Sequence, residues 1–223
     1  QLIQPTQITF HQALEKGHYE ALMLTSTFLI LTNNLLTFQT DTALSLVFTD
    51  DTKKQLCEIA QKEDLLIVED ATYSELYFDD DQPTPLYSID NNERVIKMGT
   101  FSKIISTGIR VGWIQANEDL IKAFSQTRFD MGNSPLIQRA LSLYVSEGLL
   151  EPHVSVVRNI YKDKMEALTT NLIKNCDPYV EFYKPRGGFF LWVKIKGVSN
   201  KELTTEASND GVMFPSGSLF YAD

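Results

Sequence analysis

Short apolar runs alternate with amphipathic stretches along the 223-residue chain, and this alternation predicts which segments are strands and which are helices. Residues 49–64 have the pattern of a helix, because Thr49 can cap the start and acidic residues fill the first turn. Leu56 and Ile59 mark its apolar face. Residues 65–68 form a continuous apolar run, which is typical of a parallel strand buried on both faces.

Strands and helices continue to alternate through the middle of the chain. Residues 94–98 and 112–115 have the composition of further strands, and helices are predicted over residues 118–127, 135–146 and 152–174. Strands alternating with helices are typical of an α/β fold with a mostly parallel sheet flanked by helices. Ligands of such sheets bind at the carboxyl ends of the strands, which is where Asp70 and residues 100–103 fall.

The pattern changes after the last of these helices. Residues 180–195 have the pattern of a hairpin around a Pro185-Arg-Gly-Gly188 turn, and a helix over about residues 200–209 leads to an apolar run at 212–214. We therefore expect a large α/β domain, a connecting helix and the start of a smaller α+β domain. These three parts are assigned to residues 1–151, 152–175 and 176–223.

The composition excludes several classes of function. The chain has 20 basic and 29 acidic residues, and its net charge of −9 argues against binding of nucleic acid or an anionic membrane by this segment. Cys57 and Cys176 are too few for a disulfide framework, and the three histidines are scattered, so no metal site is expected. No stretch is long and apolar enough to span a membrane, and the cytosol is the expected compartment.

Lys103 is the residue most suggestive of chemistry. It follows Gly99-Thr-Phe-Ser at the end of an apolar strand, and apolar neighbours such as Phe101 and Ile104 are expected to desolvate its amine in part. Desolvation favours the neutral amine, which forms an imine with an aldehyde. Arg110 follows between two glycines, where its guanidinium can bind a phosphate through paired hydrogen bonds. An imine-forming amine beside a phosphate site suggests pyridoxal phosphate.

Four groups of motifs carry a family resemblance. They are Glu69-Asp-Ala-Thr-Tyr-Ser-Glu-Leu76, Gly99-Thr-Phe-Ser-Lys103 with Gly108-Ile-Arg-Val-Gly-Trp113, Gly187-Gly-Phe-Phe-Leu-Trp192, and Gly211-Val-Met-Phe-Pro-Ser-Gly-Ser218. In this order they are far more specific than any one of them alone. With them the chain resembles the class I/II aminotransferases, in the branch of 2-aminoadipate and aromatic aminotransferases. The resemblance implies fold type I of the pyridoxal-phosphate enzymes.

The same resemblance implies a role for each of six residues. Lys103 matches the lysine that holds pyridoxal phosphate as an imine and moves a proton between substrate and cofactor. Asp70 matches the carboxylate that pairs with the pyridine nitrogen, and Tyr73 the tyrosine that hydrogen-bonds the cofactor's phenolic oxygen. These three are the candidate catalytic residues. The candidate phosphate ligands are Thr100, Ser102 and Arg110.

The family pattern is incomplete in this sequence. The usual Asn-Pro-Thr-Gly turn has Thr40-Asp-Thr-Ala43 as its nearest match, so Thr40 takes the place of the asparagine that contacts the phenolic oxygen. The Gly-rich phosphate loop and the arginine that binds the substrate carboxylate have no counterpart, so we expect the sequence to be part of a longer protein. Phe189, Phe190 and Trp192 are interpreted as packing residues that fill the core or line a pocket mouth.

For function, the resemblance implies an aminotransferase that moves an amino group from an L-amino acid to a 2-oxo acid, with 2-oxoglutarate the expected acceptor, in a ping-pong reaction. The alternative is the effector-sensing domain of a winged-helix transcription regulator of the GntR/MocR type, in which a similar domain binds pyridoxal phosphate. A basic, helix-rich stretch upstream would distinguish the regulator. Family members are usually homodimers, and this assembly is carried over as an expectation.

Overall fold

The computed structural model describes residues 48–91, 93–127 and 133–220, together with the backbone of four short strands between residues 23 and 39. These four are β1 (Met23–Leu24), β2 (Thr27–Phe28), β3 (Ile30–Thr32) and β4 (Leu35–Gln39). The strands that follow are β5 (Leu66–Asp70), β6 (Val95–Thr100), β7 (Gly112–Gln115), β8 (Val180–Glu181) and β9 (Lys194–Ile195).

The helices of the described residues agree closely with the sequence pattern. They are α1 (Asp50–Lys62), α2 (Leu86–Ile89), α3 (Glu118–Thr127), α4 (Pro135–Ser146), α5 (Leu150–Cys176) and α6 (Asn200–Asn209). Thr49 caps α1 as predicted, because its Oγ1 accepts a hydrogen bond from the Thr52 amide at 3.2 Å. The short α2 was not predicted.

Five strands form one sheet in the order β3-β4-β5-β6-β7. The three central strands are parallel, whereas β3 and β7 pair antiparallel with β4 and β6 at the two edges. The predicted parallel arrangement therefore holds for the centre, but the described sheet is mixed. At β7 the reason is the connection, since residues 101–111 are too few for the crossover that a parallel pair needs.

A hydrophobic core fills the space between α1, α2 and the central strands. Its buried members are Cys57, Ala60, Ile67, Leu86 and Val95. Glu69 is also buried here, at 1% exposure, and its two carboxylate oxygens accept hydrogen bonds from the amides of Leu86 (2.7 Å) and Tyr87 (3.0 Å). A buried carboxylate is tolerated when it is hydrogen-bonded, and the first amides of α2 supply those bonds.

A second core joins α5 to the segments that follow β5 and β6. Tyr73, Leu76, Ile104 and Val154 are buried together. His153 Nε2 lies 2.8 Å from the carbonyl oxygen of Ile104, which ties α5 to the segment after β6. Both segments at the carboxyl ends of the central strands are therefore packed against one helix.

The C-terminal part has less regular structure than predicted. Of the hairpin predicted over residues 180–195, only β8 and β9 pair, and the apolar run at 212–214 is exposed and not part of a strand. α6 forms as predicted and begins with a capping box, in which Ser199 Oγ accepts from the Glu202 amide at 3.2 Å. The division into domains stays a prediction.

In the described residues, no helix combines the length and the apolar character needed to cross a bilayer. These residues also contain no group of three or more histidine, cysteine or acidic side chains arranged to hold a metal ion.

Candidate functional site

The candidate site lies where β5 and β6 end. Asp70 is the last residue of β5 and Thr100 the last of β6, and the two strands are parallel neighbours with Asp70 opposite Met98. The pairing continues one residue further, because the Ala71 amide donates to the Met98 carbonyl at 2.8 Å. The carboxyl ends of both strands therefore meet at one edge of the sheet, as the sequence predicted.

Lys103 lies in the turn after β6, and its amine is surrounded by aromatic rings. Nζ is 5.7 Å from the ring centroid of Tyr73 and 5.9 Å from that of Phe189. The turn is closed by the Ile105 amide, which donates to the Phe101 carbonyl at 2.8 Å. An ammonium at this distance from two ring faces is attracted by their quadrupoles, which holds the side chain toward Tyr73.

Asp70 is oriented by the residue two positions later. One carboxylate oxygen, Oδ1, accepts hydrogen bonds from the Thr72 amide at 3.1 Å and from the Thr72 hydroxyl at 2.5 Å. This local turn is characteristic of aspartate and fixes the direction of the carboxylate at the strand end. Thr72 was not singled out from the sequence, although a hydroxyl residue two positions after an aspartate is the signal that could have found it.

Tyr73 is buried at 7% exposure, within an aromatic cluster. Its ring meets Phe189 edge to face at a centroid distance of 5.3 Å and Phe190 at 5.9 Å. Tyr161 of α5 adds a fourth ring, 4.2 Å from that of Phe189. Edge-to-face pairs are favourable at these separations. Phe189 was predicted as a packing residue, and it does pack, but against Tyr73 and near the Lys103 amine.

Two glycines allow Phe189 to reach Tyr73. Gly187 forms an isolated antiparallel bridge with Tyr77, and the Gly188 amide donates to the Leu76 carbonyl at 2.8 Å. Gly188 has a φ of 76°, a backbone conformation that residues other than glycine rarely adopt. The predicted turn at these glycines is therefore also the link between the C-terminal part and the segment that carries Tyr73.

The candidate phosphate ligands lie on both sides of Lys103 in the sequence. Thr100 Oγ1 lies 3.0 Å from Ser102 Oγ, 3.1 Å from the Ser102 amide and 3.2 Å from the Val111 carbonyl. This last contact joins the Thr100 hydroxyl to the residue that directly follows Arg110. Arg110 itself is exposed and has a φ of 55°, in the left-handed region. This conformation is common at the end of a helix, and Arg110 ends the short 3-10 helix Thr107–Ile109.

The structure thus brings most of the predicted residues to one sheet edge. The Lys103 amine lies 5.7 Å from the centroid of the Tyr73 ring, and the hydroxyls of Thr100 and Ser102 are 3.0 Å apart. The strand pairing places Asp70 at the end of the neighbouring strand. Thr40 lies outside the described residues. Together the side chains offer an amine, a carboxylate, a phenol, two hydroxyls and a guanidinium, a donor set with the charges needed for an aldehyde that carries a phosphate.

A family model for aminotransferase class I and II matches residues 46–222. The chain belongs to the class I and II aminotransferase family. The matched range includes Asp70, Tyr73, Lys103 and the candidate phosphate ligands, whereas Thr40 precedes it. The resemblance that the four groups of motifs indicated is therefore confirmed.

Two curated relatives illustrate the range of the aminotransferase family. The chain is 33% identical over 171 residues to the uncharacterized HTH-type transcriptional regulator YdfD of Bacillus subtilis, which covers 75% of this chain and 36% of that protein. It is 31% identical over 189 residues to aromatic-amino-acid aminotransferase 1 of Thermococcus litoralis, covering 83% of this chain and 45% of that protein. Both an enzyme and a regulator thus share this sequence pattern.

A solved structure shares the fold of this chain. The kynurenine aminotransferase of Pyrococcus horikoshii matches with a TM-score of 0.78 and 28% identity, over 95% of this chain and 50% of that one. The predicted fold class, fold type I, is therefore confirmed. The chain spans half or less of the length of each of these three proteins.

Proposed function

We propose that this protein binds pyridoxal phosphate and transfers an amino group from an L-amino acid to a 2-oxo acid, with 2-oxoglutarate as the acceptor, in a ping-pong reaction. The observation that carries the proposal is the convergence of an amine, Lys103, with the carboxyl ends of two parallel strands that bear Asp70 and Thr100. A lysine with a carboxylate and hydroxyls at one strand edge fits the aldehyde, the ring nitrogen and the phosphate of the cofactor.

When bound, pyridoxal phosphate supplies an electron sink for the bond that breaks at the substrate α-carbon. Lys103 Nζ would hold the cofactor aldehyde covalently and later move the α-proton. Asp70 would accept a hydrogen bond from the protonated ring nitrogen, in the orientation that Thr72 imposes. The Tyr73 hydroxyl would donate to the phenolic oxygen of the cofactor.

The phosphate of the cofactor would be held by the residues that flank Lys103 in the sequence. The hydroxyls of Thr100 and Ser102, already in contact with each other, can turn to donate to its oxygens. Arg110 would add a charge-assisted pair of hydrogen bonds. Thr40 is proposed as an additional donor to the phenolic oxygen, and the homodimer, the amino-acid substrate and the 2-oxo acid belong to the same proposal.

The test is covalent trapping of the cofactor. The purified protein is incubated with pyridoxal phosphate, its absorbance is recorded, and borohydride is added before proteolysis and peptide mapping by mass spectrometry. We expect a visible absorbance band, and after reduction a phosphopyridoxyl group on Lys103. Lys103→Ala should lose both. Lys97→Ala is the matched control, since Lys97 lies on the preceding strand, β6, and its Nζ is also 5.7 Å from the centroid of an aromatic ring, that of Trp113.

A label on lysines in general, or no absorbance band, would remove the basis for this proposal. A second function, sensing of an amino-acid effector by a transcription regulator, is favoured by the similarity to YdfD. Addition of glutamate separates the two. Loss of the visible band with formation of 2-oxoglutarate supports the aminotransferase, whereas a stable band together with specific DNA binding by the full-length protein supports the regulator.

A further inference from the structure

Tyr73 lies in a segment that is neither helix nor strand. This segment lies between β5 and α2 and contains two local turns. One is closed by a hydrogen bond from the Ser74 amide to the Ala71 carbonyl (3.2 Å), and the other by a hydrogen bond from the Leu76 amide to the Tyr73 carbonyl (2.8 Å). Outside the turn, the segment is also held by the bridge from Tyr77 to Gly187 and by the rings packed on Tyr73. A tyrosine whose hydroxyl has to meet one atom of a cofactor needs its backbone fixed as well, and a contact from α5 to the residues after Tyr73 would do this.

Arg158 of α5 supplies this anchor. Its Nε donates to the Glu75 carbonyl at 3.0 Å, across 83 residues of sequence, and its guanidinium carbon lies 3.9 Å from the ring centroid of Tyr77. The Arg158 side chain is only 14% exposed. One of its terminal nitrogens lies 3.6 Å from the carboxylate of Glu151, which is two turns earlier on α5. The guanidinium thus contacts Glu75 and Tyr77, which follow Tyr73 in the chain, and also pairs with Glu151 of its own helix.

The arrangement requires an arginine. A planar guanidinium can stack on a ring while its Nε–H donates in the plane, whereas a lysine ammonium is a single point that cannot do both. Glu151 adds an ion pair to the guanidinium, which is weak because the Glu151 side chain is 72% exposed. Removing the guanidinium leaves the Glu75 carbonyl and the Tyr77 face without this partner.

We propose that Arg158 is a positioning residue, which holds the segment of residues 73–77 against α5 and thereby places the Tyr73 hydroxyl for the cofactor. The proposal rests on the proposed function for the role of Tyr73. The anchoring itself is a property of the chain without cofactor. The two parts can therefore be tested separately.

The first experiment uses the cofactor-free protein. Amide hydrogen exchange is measured by mass spectrometry in Arg158→Lys and in the wild-type protein. We expect exchange in the peptide that covers residues 71–77 to be about tenfold faster in the variant, since one hydrogen bond to a charged group is lost. Peptides of α1 should not change. Arg139→Lys is the control, because Arg139 is an exposed arginine on α4.

The second experiment uses the protein loaded with pyridoxal phosphate. A tyrosine hydroxyl that donates to the phenolic oxygen lowers the pH at which the visible absorbance of the bound cofactor changes. Arg158→Lys should therefore raise this midpoint pH, in the same direction as Tyr73→Phe. In the double variant the two changes should not add, because Arg158 acts through Tyr73.

Each outcome decides one point. Unchanged exchange at residues 71–77 overturns the anchor, and additive shifts in the double variant overturn its action through Tyr73. If the wild-type protein shows no cofactor absorbance, the proposed function fails while the exchange result still tests the anchor. If Arg158→Lys does not fold, Tyr77→Leu removes only the stacked ring and should give the same changes to a smaller extent.

Discussion

Replacement of Gly187 by alanine is predicted to destabilise the protein by opening the link between the C-terminal part and the Tyr73 segment. A methyl group at Gly187 would come within 2.6 Å of the Leu76 carbonyl oxygen and 3.2 Å of the Tyr77 Cα. Both are backbone atoms, which cannot rotate away as the end of a side chain can. The bridge between Gly187 and Tyr77 therefore has to move apart.

Three contributions determine the magnitude. Overpacking a close contact costs about 1–3 kcal/mol. Opening the bridge weakens two hydrogen bonds of 2.8 Å, from the Phe78 amide to the Arg186 carbonyl and from the Gly188 amide to the Leu76 carbonyl, each with a net value of about 1 kcal/mol. Because Gly187 is not among the glycines with positive φ, alanine also restricts the unfolded chain, which offsets about 0.4–1 kcal/mol. If about half of the value of these two hydrogen bonds is lost, the net loss is about 1–3.5 kcal/mol.

The assay is urea unfolding followed by circular dichroism, with the midpoint and slope compared between variants. Gly108→Ala is the matched control, because a methyl group there would have its nearest neighbour, Ser106 Oγ, at an ordinary 3.7 Å. The control should stay within about 0.5 kcal/mol of the wild-type protein. A Gly187→Ala protein as stable as the control would refute the reasoning, since it would mean that the bridge has room for a methyl group.

Two further predictions concern Asp70 and Cys57. Thr72→Val removes a hydroxyl donor from Asp70, so the affinity for pyridoxal phosphate should fall about fivefold to tenfold in a fluorescence titration, whereas Thr205→Val should leave it unchanged. Burial raises the pKa of the Cys57 thiol from 9.0 to about 11, with smaller contributions from nearby carboxylates. Between these values the unfolded chain releases a proton that the folded chain retains, so stability should fall as pH rises. The urea midpoint of Cys57→Ala should fall less steeply over this range, and an equal slope would contradict the assignment.

Much of the local structure could be predicted because it depends on neighbours in sequence. The capped helix that Thr49 begins, the strand 112–115 and the helices over 118–127 and 135–146 match the pattern of apolar positions. In a helix or strand this periodicity alone decides which face can be buried. The order of Asp70 before Lys103, each after an apolar run, was enough to indicate one site at the carboxyl edge of the sheet.

The surroundings of the site could not be predicted in this way. Phe189 follows Tyr73 by more than a hundred residues, and Arg158 follows Glu75 by 83, so no local pattern indicates that they meet. What decides these contacts is the path of the backbone: α5 passes beside both strand-end segments, and two glycines let the chain approach Leu76 closely. The sequence by itself therefore determined most of the longer helices and strands and the chemical groups of the candidate site. Only the tertiary structure decided which distant side chains pack around these groups, because packing depends on spatial distances that separation along the sequence does not determine.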